Sequence, residues 1–232
     1  MSDAWQHPLA VTRRSFERQI STFRRRGFRP IPADALFDGV RRGLHVTFDD
    51  AFRDVLDIVP LVERFGLHAT VFPVTSFADS EGPFDVPELA NEGADHPERL
   101  STMRWSDLAE LAARGFEIGS HTATHPHLTT LTDAELDSEL GDSRTRIEDE
   151  LKQVCRLLAY PYGEHDERVQ SAAQRCGYTA AFGLSVGTER SNRYALPRID
   201  FYRRDSLPRA ILKTTFLKPH ASAFLARVRR LS

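Results

Sequence analysis

The 232-residue chain has little cysteine, no long apolar run, almost no net charge and no internal repeat. Each of these shortfalls removes a class of protein. Cys155 and Cys176 are the only cysteines; they form no C-x-x-C motif and read as buried thiols rather than as a bridge or a zinc clasp. No apolar stretch approaches the ~18 residues of a transmembrane helix. The opening MSDAWQHPLAV carries neither a basic n-region nor an apolar h-region. No secretory signal is therefore expected, and the cytoplasm is the default location. Lys plus Arg number 31 against 33 Asp plus Glu, which makes no case for nucleic acid. The charge is uneven, however: nine basic residues against two acids follow from Arg198 onward. A solvated basic C-terminal tail near 206–232 is the plain reading.

What remains is an ordinary soluble composition, 41% hydrophobic and 28% charged, sized for a single α/β domain. Phe16, Ile20 and Phe23 recur at helical spacing over 15–27, with Gly27 as the stop. Leu44–Phe48 is a β-prone run ending in two acids, Asp49 and Asp50. A helix over 55–65 and a strand over 69–74 follow. Residues 79–102 are rich in Gly, Pro, Asp and Glu without a clean period, and read as a surface loop insertion. Ser106 is placed to cap a helix running to Arg114, ahead of a short strand over 116–119. Thr132 and Glu135 form a capping box for a helix with apolar face Leu136, Leu140, Ile147, Leu151 and Val154. Strands near 157–160, 180–182 and 199–202 and a helix over 167–176 complete the pattern. Strands alternating with helices imply parallel strands and crossover connections.

The polar motifs fall just after strands, where such folds place their chemistry. Asp49-Asp50 alone could be no more than a helix cap. His121-Thr122-Ala123-Thr124-His125 adds two imidazoles four residues apart, able to converge on one metal ion. One carboxylate and two imidazoles form a three-ligand set with an open position, as a catalytic divalent ion requires. The second carboxylate is then left to take a proton from the attacking water.

Three motifs in order carry a resemblance. Thr47-Phe48-Asp49-Asp50, Ser120-His121-Thr122-Ala123-Thr124-His125 and Ala159-Tyr160-Pro161-Tyr162-Gly163 look like the first three motifs of the polysaccharide deacetylase (NodB homology, carbohydrate esterase family 4) family, from about His7 to Asp205. The resemblance implies a distorted (β/α)7 barrel in a single domain. It implies Asp49 as general base, Asp50, His121 and His125 as metal ligands, and the backbone N–H of Tyr162 as an oxyanion donor. The implied cofactor is a divalent metal, Zn before Co, Ni or Mn. The implied activity is removal of an acetyl group from an N-acetylated amino sugar of a polysaccharide, glycolipid or glycoside intermediate. Deformylation or other C–N hydrolysis on the same barrel, and a non-catalytic carbohydrate-binding barrel, are the alternatives.

Two departures from the family pattern stand out. An arginine that orients the catalytic aspartate belongs at the position of Ala159, and Arg198 is the candidate to replace it, a surface arginine being the competing reading. The last motif's acid histidine is missing: Ile211-Leu212-Lys213 has no histidine, and His220 has no strand around it. The general acid stays unassigned. Trp105, Pro161 and Tyr162 are candidate sugar contacts. His68, His127 and His165 read as structural. Which sugar is bound, and the oligomeric state, are not legible.

Overall fold

The computed structural model describes residues 11–37, 40, 42–80, 82–89, 95, 97–184, 192–201 and 223–228. The chain forms two compact units. The first comprises 1–48, 54–70 and 198–232, and the second 49–53 and 71–197.

The first unit opens with α1 (Arg13–Arg25), capped by Thr12, whose hydroxyl accepts from the Ser15 N–H at 3.1 Å. The helix begins two residues before the predicted start. It buries Phe16, Ile20 and Phe23 as the spacing requires. Two strands follow, β1 (Arg29–Pro30) and β2 (Gly43–Asp49). Every residue of β2 is buried, as in a parallel strand covered on both faces. Phe48 packs against Phe16, and Phe23 against Phe201. Residues 53–64 coil as a 3-10 turn and then α2 (Val59–Arg64), where one helix was expected. The strand β3 (Ala69–Phe72) begins in this unit, and β8 (Ile199–Phe201) returns to it.

The predicted basic tail contains a strand instead. Residues 223–228 form β9, parallel to β2 on one side and β8 on the other. A tally of basic residues overlooks Ala223-Phe224-Leu225-Ala226, an apolar run with strand propensity. The other residues of 206–232 lie outside the described part of the chain.

The second unit holds α3 (Thr75–Ala78), α4 (Trp105–Ala113), β4 (Glu117–Ile118), α5 (Asp133–Leu151), β5 (Leu157–Ala159), α6 (Glu167–Arg175), β6 (Ala180–Gly183) and β7 (Leu196–Pro197). Ser120 continues the line of β4, donating to Leu157 O at 2.8 Å and accepting from Ala159 N at 2.9 Å. β5, β6 and β7 then pair in parallel. Helix α4 starts at Trp105 with Arg104, not Ser106, at the cap, and Asp107 reaches back to accept the Arg104 N–H at 2.9 Å. The capping box at α5 forms as predicted. Its apolar face stops short: Leu136, Leu140 and Ile147 are buried, but Val154 lies beyond the helix end and is 68% exposed. Left-handed Lys152 (φ 53°) ends the helix and breaks the period.

The 79–102 stretch is more than surface loop. It carries 3-10 turns at Pro87–Leu89 and Pro97–Leu100, bridges Pro83 to Ser101, and buries Phe84, Leu89 and Leu100. Cys155 is buried and Cys176 half-buried, and both are free thiols. Among the described residues no helix is long and apolar enough to cross a membrane.

Candidate metal centre

Strand β2 delivers Asp49 as its last residue, and the chain turns at once through two left-handed residues, Asp50 (φ 63°) and Ala51 (φ 50°). The turn lets both adjacent carboxylates reach His121 Nε2, Asp49 through Oδ2 and Asp50 through Oδ1, each at 3.4 Å. On the second motif, Gly119 lets the chain pass closely over its neighbours. A Cβ there would lie 2.4 Å from the Phe72 ring and 2.8 Å from Leu157 O. The loop beyond it holds His121 and His125, with Thr122 (φ 72°) and His125 (φ 66°) again left-handed. Tyr162 (φ 57°) is a fifth such residue. Non-glycine residues in this region cost of order 1–3 kcal/mol each and persist where surrounding structure imposes them.

What imposes them here is a dense set of hydrogen bonds. The Thr122 hydroxyl accepts from His125 N at 3.0 Å, and Ser120 Oγ accepts from Thr122 N at 3.1 Å. From α5, Glu139 accepts Ala123 N (2.9 Å), Thr124 N (3.0 Å) and the Thr124 hydroxyl (2.6 Å). From α3, Thr75 N and Ser76 N donate to the carbonyls of Thr122 and Ala123. Beneath the loop, Ser120 and Ser143 share a buried hydrogen bond of 2.8 Å.

The three predicted ligands converge. Asp50, His121 and His125 are all buried, and a ligand atom from each lies within 4.8 Å of the other two. His121 Nε2 stands 3.4 Å from Asp50 Oδ1, and His125 Nε2 stands 3.5 Å from the same oxygen. Metal–ligand arms of about 2.0–2.2 Å at tetrahedral angles separate ligand atoms by about 3.3–3.6 Å. The residues therefore fit a small divalent ion. The tautomer of His121 agrees, because its Nδ1 lies 2.7 Å from the Ala159 carbonyl. A carbonyl can only accept, so Nδ1 carries the proton and Nε2 keeps its lone pair for a metal. That Nε2 is buried and makes no hydrogen bond among the described residues. Asp49, fully buried, places Oδ2 3.4 Å from His121 Nε2.

Around this cluster the Phe84 ring meets His125 edge-on at 5.4 Å, and Tyr162 meets it at 4.8 Å. Tyr162 stacks on His127 (4.0 Å, 11° between planes), and His127 Nδ1 lies 3.0 Å from Glu164. Gly163 (φ 73°) follows Tyr162 under Leu184, where a Cβ would come within 2.6 Å of the Leu184 backbone N. Pro161 is buried. Trp105 donates its indole N–H to Asp79 at 2.7 Å, with the Arg146 guanidinium 5.8 Å from the ring centre. His165 binds Gln170 and packs on Tyr160, and burial lowers its pKa. Arg198 is 4% exposed and donates to Thr47 at 3.3 Å, which rules out the surface reading. Ile211–Lys213 and His220 lie outside the described residues.

Sequence reasoning missed Glu139, Phe84 and Ser143. Glu139 sits on α5, 14 positions after the second ligand histidine, and no spacing rule links a helix acid to a distant loop. The aromatic content of the supposed insertion was the one available signal for Phe84.

Comparison with known proteins agrees with this geometry. Residues 39–181 match the family model for polysaccharide deacetylase. The chain is 27% identical over 157 residues to a putative polysaccharide deacetylase of Bacillus subtilis, covering 66% of this chain and 50% of that protein. It is 42% identical over 89 residues to chitin deacetylase 1 of Cryptococcus neoformans, 38% of this chain and 17% of that one. Thus the chain spans half or less of the length of these curated relatives. Among solved structures, the Streptococcus pyogenes deacetylase PplD superposes with a TM-score of 0.73 at 20% identity, covering 92% of each chain. A de-N-acetylase from Aggregatibacter actinomycetemcomitans gives 0.75 at 15% identity, over 92% of this chain and 94% of that one. The fold is the α/β, distorted-barrel fold of these deacetylases, and the chain belongs to the polysaccharide deacetylase family.

Proposed function

We propose that this protein is a metal-dependent hydrolase that removes the acetyl group from an N-acetylated amino sugar. The observation that carries the reading is the buried Asp50–His121–His125 set, both imidazoles at tetrahedral-edge distance from Asp50 Oδ1, with a second buried carboxylate, Asp49, beside it. Zn suits one carboxylate and two imidazoles best, with Co, Ni and Mn as alternatives. The ion, when bound, supplies Lewis acidity, which brings the pKa of water towards 7 and polarises the amide carbonyl.

The chain's own groups do the rest. Asp49 takes the proton from the attacking water, a job that needs a carboxylate held within hydrogen-bond reach. Tyr162, on its left-handed turn beside His125, offers its backbone N–H to the oxyanion, a donor typically worth ~10²–10³ in rate. The Tyr162 ring offers the sugar an apolar face, and Trp105 a second. Arg198, bonded to Thr47 two residues before Asp49, is the cation assigned to keep that carboxylate ionised. Arg198→Ala then raises the acidic limb of the pH–rate profile.

Acetate release from N-acetylglucosamine oligomers tests the reading, with formate release from an N-formyl analogue as the second arm. Chelation should abolish turnover and Zn²⁺ or Co²⁺ should restore it. Full turnover by metal-free protein, or formate release without acetate release, refutes the assignment.

A further inference from the structure

A polar cavity of about 440 Å³ is lined by Arg53, Ser80, Gly82, Ser101, Thr102 and Arg104. Its walls are tied by short stretches of chain and by backbone hydrogen bonds to the segments that carry the catalytic cluster. Arg53 follows Asp50 by three residues, a length of chain that spans at most about 11 Å. Arg53 N donates to Ser101 O, Met103 N to Ala51 O, and Phe52 bridges Thr102. Gly82 is two residues from Phe84, whose ring packs on His125. A substrate with its acetamide at the metal ligands thus has a neighbouring part within reach of this cavity.

The chemistry of the lining is cationic. Arg53 and Arg104 face it with Ser80, Ser101 and Thr102, and the opposing acid is Asp107. Asp107 Oδ2 accepts Arg53 Nη1 at 2.8 Å and the Arg104 backbone N–H at 2.9 Å. Among the described residues this is the only hydrogen bond of the Arg53 guanidinium, whose side chain is 48% exposed. Asp107 therefore braces one nitrogen and leaves the Nη2 and Nε edge as a ready fork. Such a fork matches two oxygens of one anion, whether phosphate or carboxylate.

The geometry points to an anion-reading subsite: the preferred substrate is an N-acetyl amino sugar that bears a phosphate or carboxylate group one sugar position or less from its acetamide, held by Arg53 and Arg104. The inference rests on the deacetylase reading and names its substrate class.

The test compares three substrates: a neutral N-acetylglucosamine oligomer, N-acetylglucosamine 1-phosphate, and an N-acetyl disaccharide carrying a carboxylate. The wild-type protein should favour an anionic substrate. In Arg53→Ala, the ratio of kcat/KM for that substrate over the neutral one should fall about tenfold through KM. That is the low end for a charge-assisted hydrogen bond, as suits a half-exposed site. Arg53→Lys should fall between, since it keeps the charge and loses the fork. The arm in which the ratio falls, phosphate or carboxylate, identifies the anion. An unchanged ratio in Arg53→Ala with intact thermal stability overturns the subsite and leaves the deacetylase standing. If no substrate yields acetate, the deacetylase reading fails, and calorimetric binding of N-acetylglucosamine 1-phosphate against N-acetylglucosamine decides the subsite. Tighter binding of the phosphate that is lost in Arg53→Ala sustains it, and equal binding refutes it.

Discussion

Replacing Asp50 by Asn should separate metal binding from folding, and the size of the effect follows from the cluster. Asp50 Oδ1 is the common neighbour of both imidazoles, 3.4 and 3.5 Å away, and the only anionic atom in the ligand set. Asn has nearly the same shape, so packing around residue 50 is kept while the charge is lost. An ion that binds only the folded state stabilises it by RT ln(1 + [L]/Kd), about 2.7 kcal/mol at a hundredfold excess over Kd. A chain of this length gains roughly 2–4 °C in Tm per kcal/mol, so added metal should raise the wild-type Tm by about 5–10 °C. Asp50→Asn should show little of that rise at the same concentration and retain little metal after desalting. Asp49→Asn is the control, because that carboxylate is assigned the proton rather than the ion. It should keep the thermal shift and the metal while turnover falls by the ~10²–10⁴ of a lost general base. Thermal melts with and without chelator, elemental analysis and acetate release measure the three quantities. An undiminished shift in Asp50→Asn, or its loss in Asp49→Asn, refutes the division of roles.

Three further outcomes are expected. Glu139→Gln cannot accept three hydrogen bonds through charged oxygens, so the 121–125 loop should loosen and metal affinity fall by the ~10–100-fold seen for outer-sphere supports; unaltered affinity in metal titrations contradicts this. Gly119→Ala drives a Cβ into Phe72 and the Leu157 carbonyl and should cost about 1–3 kcal/mol in denaturant melts, with weakened metal retention, whereas a wild-type midpoint refutes the close approach. His45, buried between the Ile31 carbonyl and the Thr70 hydroxyl, has its pKa pushed down to about 4, chiefly by burial. The unfolded chain takes up this proton near pH 6.5 and the folded chain only near 4, so stability is lost as pH falls through that window, by about 2 kcal/mol between pH 7 and 5. His45→Gln should flatten that slope whatever its effect at neutral pH, and an unchanged slope refutes the assignment.

The legible parts of the molecule were those in which neighbours along the chain determine the outcome. The Asp49-Asp50 strand end, the His121–His125 spacing, the Thr132–Glu135 box and Gly27 as a stop are all local patterns, and each appears where it was placed. What stayed hidden depends on contacts between distant segments. Arg198 draws notice only through the gap at Ala159, and its own surroundings in sequence do not separate it from a surface arginine until Thr47 is set beside it, 151 residues away. β9 owes its place to β2 and β8, and a composition count registers only its charge. Val154 fits the helical period, yet the helix has already ended at a left-handed Lys152.

The left-handed backbones at Asp50, Ala51, Thr122, His125 and Tyr162 bear on how this protein could be made to tolerate heat. Glycine is the residue that relaxes such a conformation, but at Asp50 and His125 it would delete a proposed metal ligand. At Thr122 it would remove the hydroxyl that receives His125 N. Selection for thermal resistance therefore cannot relax Asp50, Thr122 or His125 in this way without damaging the proposed chemistry. Gains must come from places such as the exposed Val154 or the open ends of helices. Rigid and improvable regions of the protein are in this sense separate, and a variant library aimed at robustness should leave Asp50, Thr122 and His125 untouched.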